Sequence, residues 1–400
     1  MSKIDELIAE LCPEGVRFET LDKVSMVSVG TRPTDQDLVQ GGPAPYFNGG
    51  VGSNGSVPVP NTSGGTVVIP SRGSVGVVGY SPLDFWCGPL SYRLFSKDVS
   101  IMETRYLYFF LKSIQPEVIS LQQSGSIPAL NKAQLIKIRV PVPPLEVQRE
   151  IVSILDKFTQ LEAELDAELD ARRSQYEHTR KQLLDFTGDL SSHPLRELLA
   201  ELCPEGVEHR QLGSCLLTNI GGGTPSRSVE RYWRGDIPWA SVGDINASGI
   251  TMGYPRQSIS AEGLASSSSK IVPKGWVVVA VKIAPGAMRV VSAPIAINQD
   301  IRGLQLAPIL DPHFLTYYFK TISIVSNGTI VQGITSKTLE SVQVPVPPLE
   351  VQREIVSILD KLDALLNDLT FGLPAEITAR RKQYEYYRNQ LLTFKELETA

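Results

Sequence analysis

Four hundred residues, 42% apolar and 20% charged, are enough for two or more domains with separate cores. No apolar run reaches the ~18–20 residues of a membrane span, and the opening MSKIDELIAELCPEG has an acidic helical pattern, not that of a signal peptide. The net charge of −5 disfavours nucleic acid until it is divided: residues 20–140 hold 10 Lys+Arg against 7 Asp+Glu, residues 208–344 hold 12 against 8, and residues 145–207 hold 7 against 14. Cys12, Cys87, Cys203 and Cys215 form no CxxC pair, as expected of structural thiols in a reducing cytoplasm.

The chain opens on a short helical entry segment, 1–19, containing LIAELCPEGV at 7–16. A β-rich domain is predicted over 20–140. Its run TVVIPSRGSVGVVGYSP (66–82) is β-branched and cut by Gly and Pro, and YLYFFLKSI (106–114) reads as a helix. Pro141, Pro143 and Pro144 block helix before Leu145. Beyond them a 4-3 spacing runs through Ile151, Leu155, Phe158, Leu165, Leu169, Tyr176, Leu183 and Phe186, with no Gly or Pro from 145 to 187. That is a coiled-coil seam, and a central helix is assigned within 141–190. About 40 helical residues make a rod of about 60 Å.

A second entry segment, 191–211, carries LLAELCPEGV at 198–207. A second β-rich domain is predicted over 212–343. It has KGWVVVAVKIAPGAMRVVSAP (274–294) as strands and FLTYYFKTI (314–322) as a helix. The last segment, 344–400, continues the seam with Ile355, Leu359, Leu362, Leu366 and Leu369, then with Tyr384, Leu391 and Phe394. Gly372, Leu373 and Pro374 interrupt it, which predicts a kink or short break.

VPVPPLEVQREIVSILDK stands identically at 140–157 and 344–361, and ARRSQYEHTRKQLLDF (171–186) returns as ARRKQYEYYRNQLLTF (379–394). The chain is a tandem duplication of a unit of about 200 residues. The segments between the shared blocks barely resemble each other. An acidic constant frame holding two different basic inserts suggests two related surfaces reading two different targets.

There is no phosphate-binding GxxxxGK[ST], no GxGxxG opening a helix, and no HExxH or GxSxG motif, so no catalysis is expected of this chain alone. The loops are more informative. GGGTPSRSVERYWRGDIPWASVGDI (221–245) interleaves Arg227, Arg231 and Arg234 with Tyr232, Trp233 and Trp239, and carries Thr224 and Ser226. Such side chains serve phosphates and base edges. Asn48, Ser71, Arg72 and Ser74 lie in comparable Gly-rich loops of the first insert, and Lys282, Arg289 and Lys337 join them on charge and loop context. The competing reading makes the loops strand connectors and the aromatics core.

The pattern resembles the specificity subunits of type I restriction-modification systems, over essentially the whole length. The carriers are the duplicated PVPPLEVQREIVSILD, the ELCPEGV segments, GGTPS…YW.GDIPW at 222–239 and SGSIPALNK at 124–132. The resemblance implies an α+β fold: two target-recognition domains of mixed α/β type, separated by a pair of long antiparallel coiled-coil helices, with an internal pseudo-twofold repeat. It implies a partner set of double-stranded DNA, two modification (methyltransferase) subunits and restriction (motor-endonuclease) subunits. S-adenosylmethionine, ATP and Mg would then belong to those subunits and no cofactor to this cytoplasmic chain. Thr224, Ser226, Tyr232 and Trp239 match the family motif. The helices would act as a ruler between half-sites. The alternative is a structural scaffold whose inserts bind protein or carbohydrate.

Overall fold

The computed structural model describes residues 3–34, 42–123, 128–245, 249–324, 333–367 and 373–397. The helices used below are α1 (Thr104–Ser113), α2 (Leu145–Leu184), α3 (Pro312–Phe319), α4 (Leu349–Asn367) and α5 (Leu373–Leu392). The chain forms two compact units, Met1–Asp166 with Glu376–Ala400, and Ala167–Ala375. Each draws on both copies of the duplicated frame.

In the first unit, a four-stranded antiparallel sheet has the order Ser25–Val29, Ser91–Ser96, Thr66–Pro70, Gly79–Ser81. Beside it lies a three-stranded sheet, Ser56–Val57, Ala44–Phe47, Trp86–Cys87, whose last two strands run parallel. The helix α1 covers the larger sheet with Tyr106, Leu107, Phe109 and Leu111, all fully buried among Val67, Ile69 and Leu94. Arg17–Thr20 pairs antiparallel with Arg139–Val142, which leads through the prolines into α2. The terminal segment closes the unit: the Val16 amide donates to the Lys395 carbonyl and the Leu397 amide to that of Val16.

The second unit repeats this topology on an unrelated sequence. Its antiparallel sheet runs Leu216–Gly221, Ile301–Leu306, Val277–Ala280, Met288–Val290. Its smaller sheet runs Gln257–Ile259, Ile237–Ala240, Ile295–Ile297, Lys270–Val272, again with one parallel pair, Trp239 alongside Ala296. His209–Gln211 pairs with Gln343–Pro345 ahead of α4. Both lobes need a glycine at the same place. A Cβ on Gly30 would lie 2.3 Å from the Cys87 carbonyl oxygen, and one on Gly222 would lie 2.1 Å from that of Ile297. There the end of the first sheet strand crosses the parallel pair, too close for a side chain.

The helix predicted after the prolines is α2, 40 residues from Leu145. Its seam is not uniform. Ile151 and Leu155, expected on a helix–helix seam, are fully buried in a cluster that joins the first lobe's Met102 and Tyr106 to Leu392 of α5. Burial of this kind contributes about 1.5–3 kcal/mol per side chain, so the start of α2 is anchored to the lobe as well as to α5. In the first unit α2 then runs antiparallel to α5. Phe158 contacts the rings of Tyr384 at 6.0 Å and Tyr387 at 5.9 Å, and Arg381 pairs with Glu162 at 2.6 Å and Asp166 at 2.8 Å. Leu165 is 9% exposed. In the second unit, α2 meets α4: the Tyr176 hydroxyl donates to Asp363 at 3.4 Å, and Leu169, Ile355, Leu359 and Leu366 are buried. Leu362 is half-buried. The expected interruption at Gly372 lies outside the described residues; Pro374 falls in the first turn of α5, where a missing N–H costs nothing.

One duplicated contact fixes each lobe to its helix. Gln148 is fully buried; its carboxamide donates to the Ile101 and Pro143 carbonyls, both at 2.8 Å, and accepts from the Glu103 amide at 2.9 Å. Gln352 does the same in the second unit, with Ile309 at 2.8 Å, Pro347 at 2.7 Å and the Asp311 amide at 2.7 Å. Each amide thus ties the turn before α1 or α3 to the start of the frame helix.

Candidate nucleic-acid interface

In the first lobe, the structure brings the four expected residues together around Leu90. The Asn48 side-chain oxygen Oδ1 accepts from the Leu90 amide at 3.0 Å, and the Leu90 backbone carbonyl accepts from the Ser71 amide at 2.8 Å. The Ser74 amide donates to the Gly49 carbonyl at 2.9 Å. Gly49 and Gly73 have φ of 77° and 78°, values that only glycine adopts without strain. The loop is therefore laced by backbone, and Asn48 braces it. Arg72 is exposed on this loop, with no side-chain hydrogen bond or ion pair among the described residues. A guanidinium held out in this way suits a phosphate or a guanine edge.

In the second lobe, the run 221–245 separates by partner. Arg231 pairs with Glu262 at 2.9 Å and Arg234 with Glu230, so both are neutralised. Arg227 has no carboxylate partner among the described residues. It stacks on Trp233, 4.1 Å to the ring centroid, and reaches Gln257 at 3.3 Å. Trp233 is held by a bond from its indole N–H to the Ser226 carbonyl at 3.1 Å and by an edge-on contact with Trp239 at 5.0 Å. This presents one rigid, exposed cation on an aromatic shelf. Ser226 bonds Ser228 at its foot. Tyr232 is half-buried under Arg231.

A second polar chain links Thr224 to Lys282. The Thr224 hydroxyl donates to Gln299, Gln299 donates to Asp300 at 3.0 Å, and Asp300 pairs with Lys282 at 3.4 Å. Next to Lys282, Ile283 is 67% exposed with φ of 69°. A β-branched residue in the left-handed region is strained, and such strain clusters at ligand-contacting loops.

Two expectations are revised. Trp239 is 2% exposed and donates to the Gly223 carbonyl at 3.2 Å, so it is core that supports Trp233 and not a groove contact. Arg289 is 7% exposed on the strand Met288–Val290, so it does not stand on an open loop as its sequence context suggests. Lys337 is exposed in the short helix Ser336–Glu340, apart from the Arg227 shelf. Sequence reasoning missed Gln257 and Gln299, which carry no motif. It also missed Tyr254, 80% exposed, and Arg256, held by Asp244 at 2.8 Å; an aromatic beside a basic residue in a Gly-containing loop was a usable signal. In the first lobe it missed Arg93, which binds Ser28 at 2.9 Å and Thr62 at 2.9 Å in the wall of a cavity of about 620 Å³.

Two lobes of one topology, each offering an exposed guanidinium on a braced loop and each bolted to a frame helix, define a double-headed recognition protein. The model of the type I restriction-modification DNA specificity domain matches the chain twice, at 13–171 and 204–379. A type I restriction enzyme specificity subunit from Escherichia coli is 34% identical over 319 residues, 74% of this chain and 72% of that protein. A putative one from Haemophilus influenzae is 27% identical, over 95% of this chain and 96% of its own length. Among solved structures, the S subunit from M. genitalium shares the fold, with a TM-score of 0.56 at 17% identity over 94% of this chain and 96% of that one. The chain belongs to the type I restriction-modification specificity subunits, which recognise DNA sequence and assemble with the other subunits of the system. Among the described residues, no helix is long and apolar enough to cross a membrane.

Proposed function

We propose that each lobe reads one half of a split double-stranded DNA target, and that the frame helices set the distance between the halves. The observation that carries this reading is the duplication itself: one lobe topology, mounted through the same glutamine clamp, with different surface loops. Arg72 contributes in the first lobe. Thr224, Ser226, Arg227 and Lys282 contribute in the second. The shared acidic helices hold two modification subunits, one per repeat, and restriction subunits join that assembly in the cytoplasm. The chain performs no chemistry of its own and holds no cofactor; S-adenosylmethionine, ATP and Mg are handled by its partners.

The test is affinity of the complex with its modification subunits for its split duplex. Arg72→Ala and Arg227→Ala should each weaken discrimination at one half-site only, by about 1–3 kcal/mol. Unchanged discrimination at both would remove these loops from the reading. A protein- or carbohydrate-binding scaffold predicts that neither substitution alters methylation.

A further inference from the structure

The second unit also buries positive charge that the reading above does not use. A cavity of about 270 Å³ opens between the strand Met288–Val290 and the end of α3, lined by Gly286, Arg289, Thr316, Phe319, Lys320 and Ile324 among others. Arg289 is 7% exposed, yet among the described residues its five-donor group makes one hydrogen bond, to the adjacent Met288 carbonyl at 2.7 Å. Lys320 donates to the Gly249 carbonyl at 3.1 Å and sits beside the Tyr317 ring. Neither forms an ion pair with a described carboxylate. A third cation approaches from α2: Arg180 lies over the Tyr176 ring at 5.3 Å, and its Nε is buried with no hydrogen-bond partner.

Among the described residues, the acids facing this cluster are Asp360 and Asp363, both on α4. Asp360 accepts from the Tyr317 hydroxyl at 2.7 Å, and Asp363 accepts from that of Tyr176. Asp363 is the acid that acts on Arg289 and Lys320. Arg289, Lys320 and Arg180 thus stand close together in a partly desolvated space, near two carboxylates that each already accept from a tyrosine hydroxyl. Such a group of like charges is unfavourable unless an anion joins it. Burial, then the nearness of Arg289, pushes the Lys320 ammonium down to about 8.

The first unit is an internal contrast. Lys112 and Arg388 stand at the positions of Lys320 and Arg180, but the matching strand Gly79–Ser81 carries no cation. There Lys112 is satisfied by Gln115 at 2.9 Å and by the Val78 carbonyl at 3.3 Å.

We infer that Arg289, Lys320 and Arg180 form a binding site for a phosphate-class oxyanion, present in the second unit only. A guanidinium fork and an ammonium at the wall of one small cavity suit a tetrahedral dianion. The anion is either a free phosphate or a backbone phosphate of bound DNA; only the second source rests on the DNA-reading proposal.

The experiment is residue-resolved lysine acylation near pH 8, read by mass spectrometry on the complex with its modification subunits. Lys320 and Lys112 are followed with inorganic phosphate, with chloride at matched ionic strength, and with an unrelated duplex in phosphate-free buffer. An anion bound at the site stabilises the Lys320 ammonium; a roughly tenfold shift in its proton affinity slows acylation near pH 8 by about fivefold, while Lys112 is unchanged. Slowing by phosphate identifies a free-anion site, and slowing by duplex alone identifies the DNA backbone as the source. No slowing by either overturns the inference, while the methylation motif of the same complex still tests the DNA reading. Arg289→Gln should abolish the slowing. Arg180→Gln, at a half-buried position, should reduce it should the first variant fold poorly. Slowing that survives both substitutions also overturns the site.

Discussion

The glutamine clamp gives the sharpest mechanical prediction. Gln352→Leu keeps the volume but deprives the Asp311 amide and the Ile309 and Pro347 carbonyls of their partner. At about 1 kcal/mol for each buried group left unsatisfied, the local loss is about 3 kcal/mol. That makes local opening about a hundredfold more frequent. Hydrogen exchange by mass spectrometry reads this directly, because the Asp311 amide opens α3 and is protected only by Gln352. The variant is expected to accelerate exchange at the start of α3 and leave the Ile101–Glu103 segment of the other unit at its original rate. Gln148→Leu should do the reverse. Unchanged exchange in the cognate segment would refute the claim that these amides hold the lobes to the helices. Since a looser mount changes orientation and not loop chemistry, the half-site sequences should survive while tolerance to spacer length widens.

Inserting four residues after Leu165 lengthens α2 by about 6 Å; the spacer of the methylated motif should grow, or methylation should fail, and an unchanged motif at full activity would count against the ruler. Exchanging residues 212–339 for those of another specificity subunit should alter one half-site and leave the other, as seen by sequencing the methylated sites. His193 is 5% exposed, with its ring against the Leu183 carbonyl and Phe186, and burial holds its imidazole below the usual range. Below about 6.5 the unfolded state therefore binds a proton that the folded state resists. Stability of the second unit should be complete above that pH and fall as pH drops toward the folded value; His193→Phe should flatten this limb in thermal melts, and an identical acid limb would sink the assignment.

Much of the frame was readable because its signals are local. Three prolines and a 4-3 apolar pattern place α2 within three residues of its observed end, and the two runs at 106–114 and 314–322 fall on α1 and α3. What periodicity could not reveal is which partner an apolar face meets. Ile151 and Leu155 continue the seam toward Leu392 but are shared with the core of a β-sheet lobe, which the 4-3 pattern does not show. The shared topology of the inserts was hidden for a related reason: it rests on crossings such as Gly30 over Cys87 and Gly222 over Ile297, which leave one glycine each and no pattern. In the recognition loops, composition marked the right stretch but not the right side chains. Arg227, Arg231 and Arg234 look alike in sequence; Glu262 and Glu230, distant or adjacent, decide which of them stays unpaired. Trp239 and Arg289 look like open loop contacts by residue type, but the fold buries both.

The central claim is tested most directly by single-molecule methylome sequencing of cells expressing this chain with its modification subunit, against cells lacking it. The account predicts one split motif, two defined halves separated by a spacer of fixed length, present in the first and absent in the second. A continuous motif, or none despite co-purification of the two proteins, would contradict it.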